Sequence, residues 1–564
     1  MKLKQLFLCV LYAGLFLFQL SCKDELSEIQ NEEAFKAEKN SSLSAREFSG
    51  DSLILENPYS TENMAKALQR VKYNNPKYSF GKFNVQTTHL YLKFSPENEE
   101  QVSLLKSDST MHYFDYRMDA EYKEEYLANR SPDKDSIPVY YTAVPVGKTL
   151  PAVKHEVLSE LYIPEQDPYF SDIKDNEEYQ VTDRVENKTD LFNNLLFSAY
   201  EQTGNEQDLL TDNATPEARW IFGSKWYPSG NIRVQDDIAG SRPVTGAQVL
   251  MRQWFTVAQG ITDGNGNFST SSVRGKARYV IQWERYHYSV RDGSFFQAET
   301  HGPNVKKQSW SINLNGGKDE YHALIHQAAH DFYYGYRFGL ISPPMNNHFY
   351  NFGRQSQIKI AGRLSNSGPP SSYSHIRSEI SFGLSAQIHI KNYGSTSDQV
   401  YGTTIHELSH ALHSVKDRFS YDNIVRDSFL SGDSQVKNRN RRLLESWPVA
   451  VEILMTLERY RVRYNISNYS VYSTFQIVNY QNRTIAASNH YTSGIYDMTD
   501  MVDQRRTYGS AYPVDQVNGY TIKELENALS GSRYWNDYRD RVKAMYPNKP
   551  TRPFVDDLFA NWQD

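Results

Sequence analysis

The chain has 564 residues, a formal net charge of −6 and ordinary proportions of apolar and charged residues. That length exceeds what one hydrophobic core usually holds and predicts roughly two to four domains. Nothing in this mildly acidic balance argues for a nucleic-acid partner, which would call for a basic domain or stripe. The 41 tyrosines, with abundant asparagine and serine, suit a wet surface that binds peptide or glycan, and equally an ordinary extracellular surface.

The first segment carries a targeting pattern. Met1 to Lys4 holds two lysines, and residues 6–20 are apolar without charge, a secretory leader too short for a comfortable membrane span. Of the two cysteines, Cys9 lies inside that run and Cys22 directly after it, ahead of Lys23-Asp24-Glu25. Leu20-Ser21-Cys22 resembles a lipoprotein signal. The resemblance implies removal of residues 1–21 and acylation of Cys22. The Cys-Lys-Asp-Glu start resembles the surface-export tag of Bacteroidetes lipoproteins. The expectation is an outer-membrane lipoprotein of the cell envelope, exposed at the surface and joined to the membrane through its lipid only. Plain secretion with cleavage near Ser21 is the alternative. A mature chain would keep a single cysteine and no disulfide.

Residues 22–60 are polar and read as a tether. Residues 61–213 read as a small α+β unit. It comprises a helix over 61–71 capped by Thr61, a strand over 88–94, a helix opened by Ser95-Pro96-Glu97, strand-like pieces at 111–116 and 139–146, and a helix over 156–161. No chemistry attaches to it. In residues 217–313, short β runs separated by Gly/Asn turns predict an all-β sandwich. The runs include Gly230-Asn231-Ile232-Arg233-Val234 and Pro243-Val244-Thr245-Gly246-Ala247-Gln248-Val249. Their order resembles the transthyretin-like, carboxypeptidase regulatory-like sandwich, which implies an accessory module without catalysis. Asp263-Gly264-Asn265-Gly266-Asn267 reads as a hairpin turn; it lacks the terminal glutamate of a calcium loop.

From 318 to 564 long helical patterns dominate, and here chemistry appears. A β run over 386–390 precedes Thr396-Ser397-Asp398-Gln399, which reads as a capping box. The helix it opens carries His406-Glu407-Leu408-Ser409-His410. Four residues apart on a helix, His406 and His410 share a face and can share a metal ion, while Glu407 can reach a water on that ion. His413 stands too far along the axis from His406 to join them. A metzincin arrangement is excluded, because His413 occupies its glycine position and Lys416 its third histidine position. Leu444-Glu445-Ser446-Trp447-Pro448, near the start of a helical pattern over 441–460, resembles the third-ligand segment of gluzincins such as the aminopeptidase-N-like enzymes. That implies Glu445 as ligand, residues 417–440 as an insertion and Pro448 as a possible helix start. Glu452, on the same face, is the alternative ligand or a partner that orients a ligand histidine.

Tyr491-Thr492-Ser493-Gly494 resembles the segment that supplies an oxyanion tyrosine in the same enzymes, and implies Tyr491 in that role; a packing tyrosine is the competing reading. No exopeptidase strand motif accompanies it. His322, His326 and His330 imitate the metal spacing, but Gln327 cannot act as a base, so they read as a face of a supporting helix. The whole is expected to be an α+β multidomain chain: α+β unit, β-sandwich, and a mainly helical zincin-like domain. The expected function is a Zn²⁺-dependent hydrolase of peptides or proteins. The alternative is a non-catalytic surface-binding or structural lipoprotein with a vestigial metal site. Oligomeric state is not legible.

Overall fold

The computed structural model describes residues 54–562, except 77–79, 81–82, 107–110, 122–135, 174–178, 181–184, 186, 210–220, 223–224, 342–345, 348–354, 366–370, 374–385, 470–480 and 488. The leader, Cys22 and most of the tether lie outside the described residues. The chain is a multidomain mixture of helices and several sheets. Among the described residues no helix is long and apolar enough to cross a membrane.

The N-terminal unit contains α1 (Thr61–Asn74), β1 (His89–Phe94), α2 (Glu99–Lys106), β2 (Tyr140–Pro145), β3 (His155–Leu161) and α3 (Lys188–Gln202). The cap of α1 is Ser60, whose hydroxyl accepts the Asn63 N–H at 3.1 Å, so Thr61 is the first helical residue rather than the cap. Residues 156–161 do not form the predicted helix. As β3 they pair antiparallel with β1, which also pairs with β2. A seven-residue segment lacks the length to hold a helix alone, and the ladder against β1 satisfies its backbone. Residues 111–116 contribute one bridge, Phe114 to Tyr141, instead of a strand. Leu250, Trp254, Phe255 and Val280 of the next unit complete this core, Phe255 packing at 4.9 Å against Tyr91.

The sandwich region holds β4 (Ser229–Asp236), β5 (Gly240–Pro243), β6 (Gln248–Gln253), β7 (Thr256–Ile261), β8 (Asn267–Ser269), β9 (Ala277–Gln282), β10 (Tyr288–Asp292), β11 (Phe296–Gln297), β12 (Glu299–Val305) and β13 (Trp310–Leu314). One sheet runs β8-β4-β13 with β5 beside β4, and the other runs β12-β9-β6-β7. Alternate residues Ile232, Val234, Val249, Met251, Tyr279 and Ile281 are buried in one core, as period-two strands with one apolar face require. Gly230 is obligatory, since a Cβ there would collide with the Trp310 carbonyl. The 263–267 turn joins strands of different sheets instead of closing a hairpin, and Asp263 holds it by accepting the N–H groups of Asn265 and Asn267, each at 2.8 Å.

Strand β10 leaves the sandwich. It runs parallel to β14 (Ile358–Gly362), which runs parallel to β16 (Ile388–Ile390); β15 (Ser372–Tyr373) pairs antiparallel with β16 on the far side. The order is β11-β10-β14-β16-β15. Residues 288–297, read from sequence as sandwich, thus build the sheet under the helical region, and one hydrophobic core extends from Trp226 to Trp562. Strand β16 is flanked on both sides, by β14 and β15, so it is not an edge strand.

Over this sheet lie α4 (Gly317–Tyr334), α5 (Ser397–Lys416), α6 (Arg418–Leu430) and α7 (Ser434–Leu457), followed by a π-helical turn at Glu458–Arg463. The expected insertion is largely α6, capped by Asp417. Pro448 lies inside α7, not at its start. It lacks an N–H for the preceding turn, but Leu443, Leu444, Trp447, Val449, Ala450, Val451 and Ile453 are all buried and carry the helix through. After α7 come α8 (Gly494–Asp497), α9 (Gln504–Tyr508), α10 (Ile522–Leu529), α11 (Trp535–Met545) and α12 (Val555–Ala560).

Candidate metal centre

Helix α5 does not begin with the predicted capping box: Thr396 makes no cap hydrogen bond to the helix backbone. The Ser397 N–H donates to Asp237 Oδ1 at 2.9 Å, and the Ser397 hydroxyl accepts the Asp237 N–H at 3.1 Å. A residue at the end of β4 therefore fastens the first turn of α5, and nothing in the local sequence announces it. Asp398 in the same turn takes the Tyr469 hydroxyl at 2.9 Å.

Two turns on, His406 and His410 stand with ring centroids 4.9 Å apart, as i and i+4 on one face. Helix α7 packs across them and presents Glu445. Its Oε2 lies 3.4 Å from the Nε2 of His406 and 3.4 Å from the Nε2 of His410. The donor atoms of His406, His410 and Glu445 all fall within 4.8 Å of one another, and no other such group of His, Cys, Asp or Glu occurs among the described residues. Both histidines are 7% exposed and Glu445 is 1% exposed.

Glu452 does not converge with these atoms. It sits behind His406 and accepts from Nδ1 at 2.8 Å, which turns Nε2 toward Glu445. Burial alone would lower the His406 pKa, but the flanking carboxylates of Glu445 and Glu452 prevail and raise it to about 10. Burial likewise opposes the Glu445 charge, yet the two histidines hold its carboxyl well below the usual carboxylate range. The histidines and Glu445 thus stabilise one another's charged forms. Glu445 Oε2 and His410 Nδ1 lack a hydrogen-bond partner among the described residues. Two imidazole nitrogens and a carboxylate drawn together in this way could hold a divalent metal ion.

Glu407, the residue between the histidines, is buried at 5% exposure. The Tyr491 ring lies 6.0 Å from that of His406, tilted by 32°. Its loop is tied to α7 by residues that sequence did not single out. Ser446, next to Glu445, donates to the His490 carbonyl at 2.9 Å, shares a 2.8 Å hydrogen bond with the Thr492 hydroxyl, and accepts the Thr492 N–H at 3.1 Å. Arg442, one turn earlier, donates to the Asn489 carbonyl and the Trp562 carbonyl, both at 2.7 Å. The glutamate-small-aromatic order of Glu445-Ser446-Trp447 was the only signal near them in the sequence.

His413 does not join the cluster. It is fully buried against Tyr421 at 5.1 Å, and burial, followed by the neighbouring His410, lowers its pKa to about 3. On α4, His326 bridges Tyr288 Oη and the Thr245 carbonyl, each at 3.1 Å. Comparison of the chain with protein-family models, with curated proteins and with solved structures finds no match.

Proposed function

We propose that the protein is a zinc-dependent hydrolase, and that its substrates are peptides or proteins. The observation that carries this reading is the convergence of His406, His410 and Glu445, with a buried Glu407 set between the two histidines. A purely structural site has no use for that acid. His406, His410 and Glu445 would hold the ion, and a zinc ion there supplies Lewis acidity and a water of lowered pKa. Glu407 accepts the proton of the attacking water and delivers it to the leaving amine. Glu452 keeps His406 Nδ1 engaged, and so keeps Nε2 facing inward. Tyr491 donates to the developing oxyanion, on a loop whose position Ser446 and Arg442 hold. With β16 flanked by β15, an extended substrate would add to the outer edge of β15.

The test is metal analysis and casein or mixed-peptide cleavage by the protein beginning after Cys22, beside Glu407→Gln. One zinc per chain with cleavage lost in the variant supports the hydrolase. Bound zinc with no cleavage by either protein favours the non-catalytic binding lipoprotein. The lipoprotein signal carries a separate proposal of attachment at the outer membrane through Cys22. Labelled fatty acid incorporated by the wild type and not by Cys22→Ala is the result expected.

A further inference from the structure

The two histidines of the candidate centre are held differently. Nδ1 of His406 is engaged by Glu452 at 2.8 Å, which leaves Nε2 turned to Glu445. His410 also turns Nε2 to Glu445, at 3.4 Å, but its buried Nδ1 has no hydrogen-bond partner among the described residues. Three residues further along α5 stands His413, fully buried, and neither of its ring nitrogens has a hydrogen-bond partner among the described residues. Residues three apart on a helix adjoin on one face. Helix α6 closes over both rings. Its Tyr421, 4% exposed, meets His413 in a T-shaped contact at 5.1 Å and lies 6.5 Å from the His410 ring. Asp417, the acid beyond His413, is committed to capping α6: it accepts the Ser420 N–H at 3.1 Å, the Ser420 hydroxyl at 2.7 Å and the Gly531 N–H at 2.6 Å.

An aliphatic side chain would fill the place of His413 without stranding two polar nitrogens in the core. The imidazole there is accounted for by a group that its nitrogens serve. The open group beside it is His410 Nδ1. A histidine that binds a metal through Nε2 carries its proton on Nδ1, and that N–H needs an acceptor to fix the ring. A neutral imidazole at 413 offers one ring nitrogen as acceptor. The two rings make no direct hydrogen bond, so the link between them takes one intermediate of the size and polarity of water.

We propose that His413 is a positioning residue of the metal centre, joined to His410 through a buried water. The His410 Nδ1–H donates to the water, and the water donates to a ring nitrogen of His413. The inference rests on the reading of His406, His410 and Glu445 as metal ligands, and it adds to Glu452 a counterpart for the second histidine. A carboxylate fixes one ligand ring directly; a neutral imidazole fixes the other at one remove. The arrangement also gives α6 a task. The segment between the ligand histidines and Glu445 seals the link from solvent with Tyr421, and Asp417 holds that segment in place.

The experiment compares the full chain with His413→Leu, His413→Asn and His413→Gln. Zinc affinity is read by competition with a chromophoric chelator, kcat and KM on a mixed-peptide substrate, and stability by thermal unfolding of the metal-free protein. His413→Leu, close in volume but without an acceptor, is expected to weaken zinc binding by about 10–100-fold and to lower kcat with KM unchanged. Its metal-free form melts no lower than the wild type. The asparagine and glutamine variants each return an amide oxygen near one ring-nitrogen position, and the one that matches the acceptor recovers the zinc affinity. Wild-type affinity and kcat in His413→Leu, or equal loss in all three variants, show a packing histidine and overturn the proposal. A wild type that takes up no zinc removes the ligand reading, and this proposal with it; zinc held equally by the wild type and His413→Leu removes this proposal alone. A crystal structure of the zinc-bound wild type needs no variant to fold. Water within about 3.2 Å of both His410 Nδ1 and a His413 nitrogen is expected there, and a site without it overturns the link.

Discussion

Helices α4 and α5 carry the same histidine spacing, and the molecule uses them in opposite ways. His326-Gln327-Ala328-Ala329-His330 and His406-Glu407-Leu408-Ser409-His410 both place two imidazoles on one helical face. On α4, both nitrogens of His326 are engaged by Tyr288 and Thr245, and burial lowers its pKa to about 3. The neighbouring Asp331 is spent on Arg459 at 2.8 Å and Arg463 at 2.7 Å. On α5, Glu445 and Glu452 arrive from α7 on either side of His406. Spacing selects a face. What the next helix presents to that face decides whether it is a structural contact or a cluster able to hold a cation.

The sharpest way to break the comparison is to remove its acids. Glu407→Gln, which gives α5 the glutamine found on α4, is expected to lower peptide cleavage by about 10²–10⁴-fold with zinc content unchanged. Activity indifferent to that change would sink the proposed mechanism. On α4 the expected effect is on stability. Asp331→Ala removes the carboxylate that neutralises the buried Arg459 guanidinium, leaving it the Gln327 carboxamide, and should cost about 3–5 kcal/mol in denaturant unfolding, leaving zinc content intact in the folded fraction.

His326→Ala strands Tyr288 Oη and the Thr245 carbonyl and opens a cavity, for about 2–4 kcal/mol. A loss of zinc in that variant would contradict its assignment as structural. The smallest effect is in pH. His326 is neutral when folded, with a pKa near 3, and titrates at about 6.5 when unfolded. Below about 6.5 the unfolded chain takes up a proton that the folded chain refuses. Its contribution is therefore present above that pH and lost as pH falls toward 3. His326→Gln should flatten the wild-type decline in melting temperature over that interval.

Much of this was legible one segment at a time. Period-two strands gave the sandwich core, helical spacing gave α5, and the Glu445-Ser446-Trp447 resemblance pointed to the residue that meets both histidines. Strand β3 escaped because a short Glu/Leu segment has no local reason to prefer strand until β1 is beside it. The exit of β10 from the sandwich escaped for the same reason: an apolar strand carries no record of which sheet it will join. Pro448 misled because its local preference for a helix start was outweighed by burial of the residues around it.

The sequence by itself determined the chemistry available: two histidines on one helical face with an acid between them in the chain, and a leader that resembles a lipoprotein signal. Only the tertiary structure decided which of these meet. It set Glu445 against Nε2 and Glu452 against Nδ1 of the same ring, and put Asp237 on the first turn of α5. Helical and strand periodicities are properties of neighbouring residues, whereas ligand sets and buried charges depend on packing between segments far apart in the chain. There, desolvation makes each unsatisfied group costly enough to require a partner.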